Sequence, residues 1–124
     1  MRRALILLAL APLLLAQSGL PRARCDYGLG VAALAEGRRL LARPPASIED
    51  GRARGEAAMS RLRGAVPVFL GCGCPRLAEF TAEAAGLAAQ LPSEASMGRL
   101  VQGFEQTRLR IEIAQQQMER QGCR

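Results

Sequence analysis

Apolar positions recur every three to four residues over most of this 124-residue chain. Val, Ile, Thr and aromatic residues are too scarce to build strands. The periodicity predicts four helices. The first covers about residues 26–42 on the stripe Tyr27, Val31, Leu34 and Leu41, which Arg38 interrupts. Asp26 stands at its start, where a carboxylate suits the helix dipole, and Arg43-Pro44-Pro45 stops it. The second opens at Ser47, which forms a capping-box pattern with Asp50 and precedes the apolar face Met59, Leu62, Val66 and Phe69. Its first half, residues 51–55, is poor in apolar side chains and reads as the least stable stretch. Pro67 is expected to kink or end this helix near Gly64.

The third helix starts at Pro75, a favoured first-turn residue, and carries Leu77, Phe80, Ala84, Leu87 and Leu91 without a break. Alanines flank that stripe, so a neighbour can approach closely, and Pro92 follows its end. The fourth runs from near Ser93 to about Gln121, burying Leu100, Phe104, Thr107, Ile111, Ala114 and Met118. At about 28 residues it would measure roughly 42 Å. Glu105, Arg108 and Glu112 fall at the spacing of helix-surface ion pairs, and Gly122 supplies a stop. Short connections make consecutive helices antiparallel neighbours. The expected fold is therefore all-α, a small up-down-up-down four-helix bundle, with residues 19–124 forming a single domain.

Ahead of the helices lies a targeting pattern. Arg2 and Arg3 precede an apolar Leu-rich run, residues 4–16, and small residues follow. This is the layout of a secretory signal peptide over residues 1–18, cleaved after Ala16 or Ser18. The run is shorter than the roughly 20 apolar residues a membrane span needs, and Pro12 interrupts it, so no stable span is expected after cleavage. Cys25 follows Arg22-Ala23-Arg24, which is not the small neutral context of a lipid-modified cysteine.

All 17 basic residues are Arg, and the chain lacks Lys, His and Trp. With abundant Ala and Gly, that points to the coding bias of a GC-rich genome. Without Arg2 and Arg3 the net charge falls from +6 to +4, a mildly basic balance that suits solubility and gives no reason to expect nucleic acid.

Four cysteines, Cys25, Cys72, Cys74 and Cys123, carry the sharpest signal. In the expected topology the start of helix 1, the turn between helices 2 and 3, and the end of helix 4 share one end of the bundle. All four cysteines fall there. An even count in a small exported chain reads as paired disulfides. Cys72 with Cys74 would close a strained ring across one residue. The favoured pairs are Cys25 with Cys72 and Cys74 with Cys123; the crosswise set, Cys25 with Cys74 and Cys72 with Cys123, also ties both ends to the central turn. Each bridge closes a loop of about 50 residues, for about 4 kcal/mol apiece.

Other chemistry is sparse. A four-thiolate copper or zinc site is the alternative use of the cysteines, but the spacing is C-x-C with distant single partners. Thiol–disulfide exchange through Cys72-Gly73-Cys74, just ahead of a helix start, is another. Met59, Met97 and Met118 read as core or cap residues. Gly28-x-Gly30-x-x-Ala33 follows no strand, so it is not a dinucleotide fingerprint. The carboxylates lie mostly on exposed faces and no base stands beside the serines, so neither an enzyme nor a cofactor is expected. The apolar run Val66, Pro67, Val68, Phe69 and Leu70 offers a candidate partner patch on Val66, Val68, Phe69 and Leu70. Arg52, Arg54, Arg61 and Arg63 spread over more than one face of helix 2. The expectation is a periplasmic or secreted, non-catalytic structural or protein-binding module of a bacterial envelope, with an unidentified protein partner.

Overall fold

The computed structural model describes residues 25–123; the expected signal peptide and its expected cleavage site lie outside them. Four helices follow in order: α1 (Tyr27–Leu40), α2 (Ile48–Gly71), α3 (Pro75–Ala88) and α4 (Met97–Gln121), with a 3-10 turn (Leu91–Ser93) before α4. No strand occurs among the described residues. Each helix packs most extensively on its sequence neighbour, and α4 returns to touch α1 and α2. The up-down-up-down bundle is thus the observed fold.

The core is leucine and alanine with two phenylalanines. Leu34, Leu62, Phe69, Ala84, Leu100 and Ile111 are among its fully buried side chains. Burying each large one contributes about 2 kcal/mol. On α4 the buried face is Leu100, Phe104, Thr107, Ile111 and Ala114, as its spacing predicts, whereas Met118, on the same stripe, is only half-buried against the core. The Thr81 hydroxyl donates to the Leu77 carbonyl at 2.7 Å, whereas the buried Thr107 hydroxyl has no hydrogen-bond partner.

Two helices differ from their sequence reading in ways that reshape one end of the bundle. α1 and α3, at 14 residues each, stop at Leu40 and Ala88. Each is roughly 15 Å shorter than its 24- or 25-residue neighbour. The connectors make up the difference and enter the core themselves. Leu41 and Leu91 are each 1% exposed, and Pro45 is buried. α4 accordingly begins at Met97, with the Ser96 hydroxyl accepting from the Arg99 amide at 3.3 Å.

α2 does not break at Gly64. It continues to Gly71 with Pro67 inside it. Pro67 cannot donate to the carbonyl one turn earlier, but both it and Arg63 face solvent, so water can take up the freed carbonyl. The amino end is capped as the Ser47/Asp50 pattern requires: Ser47 Oγ accepts from the Asp50 amide at 3.0 Å, and the Asp50 carboxylate accepts from the Ala46 amide at 3.0 Å.

The first half of α2, poor in apolar side chains, is a close-packed contact. Gly51 and Gly55 are buried one turn apart. A Cβ on Gly51 would lie 2.9 Å from Leu100 Cδ1, and one on Gly55 would overlap Leu91 Cβ. The absence of side chains here lets the connector residue Leu91 and α4 reach the α2 backbone.

Candidate functional site: the cysteine-linked end

The turn from α2 to α3 is built by one glycine. Gly73 has φ +74°, the left-handed region in which a side chain is strained. The Cys74 amide donates to the Phe69 carbonyl at 2.9 Å, and the Gly73 amide to the Leu70 carbonyl at 3.0 Å. These two bonds are the Schellman pattern, which ends a helix by satisfying its last carbonyls. Cys74 then occupies the N-cap of α3, and Pro75 fills the first helical position, where no amide partner is needed. Three residues therefore reverse the chain while holding Cys72 and Cys74 on either side of the glycine.

Each cysteine meets a chain end. Cys25 is bonded to Cys72, with Cα atoms 5.0 Å apart, and Cys74 to Cys123, at 4.6 Å. The pairing is sequential, not crosswise. Gly122, at φ +59°, ends α4 just before Cys123. The bridges are close neighbours: Cys123 Sγ lies 3.5 Å from the Cys72 carbonyl oxygen. Their surroundings differ. Cys74 is 1% exposed and belongs to the core, Cys72 and Cys123 are half-buried against it, and Cys25 is exposed. Among the described residues no cluster of three or more His, Cys, Asp or Glu is arranged to hold a metal ion.

The candidate partner patch separates into core and surface. Phe69 is fully buried, so it is not a patch residue. Its ring fills the space beside Gly30, where a Cβ would lie 2.6 Å from Phe69 Cε1, and Tyr27 meets it edge-on with centroids 5.8 Å apart. Val66 and Val68 are half-buried, and Leu70 is exposed. The structure adds Leu29 of α1, 65% exposed, which sequence periodicity passes over because it lies off the buried stripe. Leu29, Ala33, Gly64 and Val68 line a shallow groove of about 300 Å³ between α1 and α2, with Arg61 at its edge.

The opposite end carries no cysteine and is braced by arginine. Arg54 Nε donates to the Leu40 carbonyl at 2.9 Å, Nη1 to the Pro44 carbonyl at 3.3 Å and to Asp50 Oδ2 at 3.0 Å, and Nη2 to the Arg43 carbonyl. Its guanidinium also stacks on Phe104, 4.9 Å from the ring centroid. Arg52 Nε reaches the Glu94 carbonyl at 2.8 Å in the other connector. Sequence offers no sign of this bracing, because most of the partners are backbone carbonyls at the end of α1 and in the two connectors.

Glu36, Asp50, Glu83 and Glu112 form ion pairs. Glu112 meets Arg38 of α1 at 3.2 Å, not Arg108 of its own helix, and Arg108 donates to the Ala42 carbonyl. Glu83 pairs with Arg110 between α3 and α4 at 3.0 Å. The Arg39 side chain, hydrogen-bonded to Glu36, holds that carboxyl below its ordinary value. Asp50 is held low first by the Ala46 amide and then by Arg54. Compared with protein-family models, curated proteins and solved structures, the chain matches none.

Proposed function

We propose that this chain is a small exported protein of the bacterial envelope, periplasmic or secreted, that presents a rigid helical surface to a protein partner and performs no catalysis. The observation that carries the reading is the pair of bridges that tie the start of α1 and the end of α4 to a single turn. Such bonds persist where the surroundings are oxidising. The signal-peptide pattern of residues 1–18 supports the same compartment. The groove beside Leu29, together with Leu70, supplies the apolar surface. Copper or zinc binding would require thiolates that are here bonded to one another.

The test is a thiol count on protein taken from the producing cell without reduction. The expected result is no alkylatable thiol, a mature amino terminus at Gln17 or Gly19, and release with the periplasmic or secreted fraction. Four alkylatable thiols with a bound metal ion would overturn the reading in favour of soft-metal handling. Cross-linking in the intact envelope addresses the partner, and recovery of monomer alone at native abundance counts against one.

A further inference from the structure

We propose that the two bridges have different roles: Cys25–Cys72 is a thiol–disulfide exchange site open to a dithiol reductant, and Cys74–Cys123 is a permanent staple. The proposal rests on the reading above that both pairs are oxidised in the exported protein. A thiolate breaks a disulfide by attacking one sulfur along the S–S axis, from the side opposite the leaving sulfur. Cys25 is exposed and precedes the first turn of α1, so a dissolved thiol can reach it. Cys74 is 1% exposed within the core, and the remaining approach, at Cys123, is half-buried and lies against the Cys72 carbonyl.

Leaving-group chemistry runs the other way. Attack at Cys25 expels Cys72 at the carboxyl end of α2, where the helix dipole does not favour a thiolate. Attack at Cys123 would expel Cys74 from the N-cap of α3. That advantage is reduced because Pro75 removes one of the amides facing the sulfur, and because a thiolate at Cys74 would be buried. Access therefore sets the order.

In the exchange, one thiolate of the dithiol bonds to Cys25 Sγ, the Cys25–Cys72 bond breaks, and Cys72 leaves as a thiolate and takes up a proton. The second thiolate of the reductant then closes on the first sulfur and releases Cys25. The dithiol is oxidised to its disulfide, and the chain gains two thiols. The fold survives this step, because Arg54 still holds the connector after α1 and Cys74–Cys123 still joins α3 to α4. What loosens is the first turn of α1, where Tyr27 covers Phe69 and Leu29 borders the apolar groove.

The experiment uses the oxidised, folded protein with dithiothreitol and no denaturant, quenched by alkylation at intervals and mapped by peptide mass spectrometry. The expected result is alkylation of Cys25 and Cys72 at least about tenfold faster than of Cys74 and Cys123, with circular dichroism largely retained at the two-thiol stage. A first product in which Cys74–Cys123 is broken would overturn the proposal. So would loss of both bonds at one rate, or survival of both. Four thiols before any reductant is added would instead sink the oxidised-state reading on which it rests.

Discussion

The Arg54 guanidinium binds backbone where an exposed helix position would leave it in water. Its side chain is 22% exposed, and the Leu40 carbonyl at the end of α1 and the Arg43 and Pro44 carbonyls of the connector converge on it. Arg54→Ala is expected to cost about 2 kcal/mol in urea unfolding, from lost charged hydrogen bonds and the Phe104 contact. Arg54→Lys should recover little of this, since an ammonium cannot span three carbonyls in the plane of a guanidinium. Asp50, beside it, gives the fold an acid limit. Its folded pKa lies below the ordinary 3.8, through the Ala46 amide first and Arg54 second. The unfolded chain therefore binds the proton first as pH falls. The stabilisation is complete above the unfolded value and disappears as pH drops through the folded one. Glu36, also held low, adds to the same limb. Asp50→Asn should flatten the acid dependence, so its urea midpoint relative to the parent's should improve between neutral pH and about pH 3. A constant difference between the two proteins across that range would show that Asp50 is not the titrating group.

Glycines decide how closely the elements pack, and two of them on α2 make opposite predictions. Gly55 is buried against Leu91, whose Cβ a methyl would overlap. Gly64, about two and a half turns on, has nothing within 4 Å of an added Cβ. Gly55→Ala should destabilise by about 1–2 kcal/mol, the overpacking cost less the gain in helix propensity. Gly64→Ala should stabilise by up to about 1 kcal/mol. Equal effects in urea titrations would show that the Leu91 contact is not tight. The same pair explains what the pattern of apolar residues could convey. Large side chains at three- and four-residue spacing mark helix existence well, and on α4 they mark the whole buried face. They miss α1 positions Gly30 and Gly37, which are buried without any side chain to signal it. They also make residues 51–55 look weak, although two glycines there let Leu100 and Leu91 pack directly on the α2 backbone. Pro67 misleads for a related reason: whether a proline ends a helix depends on whether water can reach the freed carbonyl, which a linear pattern does not contain. The convergence of the cysteines was legible because it needs only the helix count and the direction of each connection. The Arg54 brace was not, since it depends on the paths of two loops.

At the scale of the whole molecule, the bundle is held differently at its two ends. One has covalent bonds, and the other has arginine–carbonyl contacts and the buried connector residues Leu41, Pro45 and Leu91. The two cross-links close loops of sequence separation 47 and 49 that follow one another along the chain without overlapping. Each therefore restricts its own half of the unfolded ensemble, and each should contribute about 4 kcal/mol independently. A small domain has only about 5–15 kcal/mol of net stability, so loss of one bridge leaves a folded but weakened bundle, and loss of both removes most of what remains. Replacing Cys25 and Cys72 together by Ser should lower the unfolding free energy by about 3–4 kcal/mol while keeping native helicity. The Cys74→Ser, Cys123→Ser double variant should lose more, because a hydroxyl then sits at the 1%-exposed position of Cys74. The Cys74→Ala, Cys123→Ala form isolates that polar cost, and should return close to the loss seen on removing the other bridge. Urea titration by circular dichroism under non-reducing conditions reads all three. If the alanine pair lost far more than the Cys25/Cys72 pair, the buried sulfurs would be stabilising the core by packing, and loop closure would not be the main contribution of that bridge.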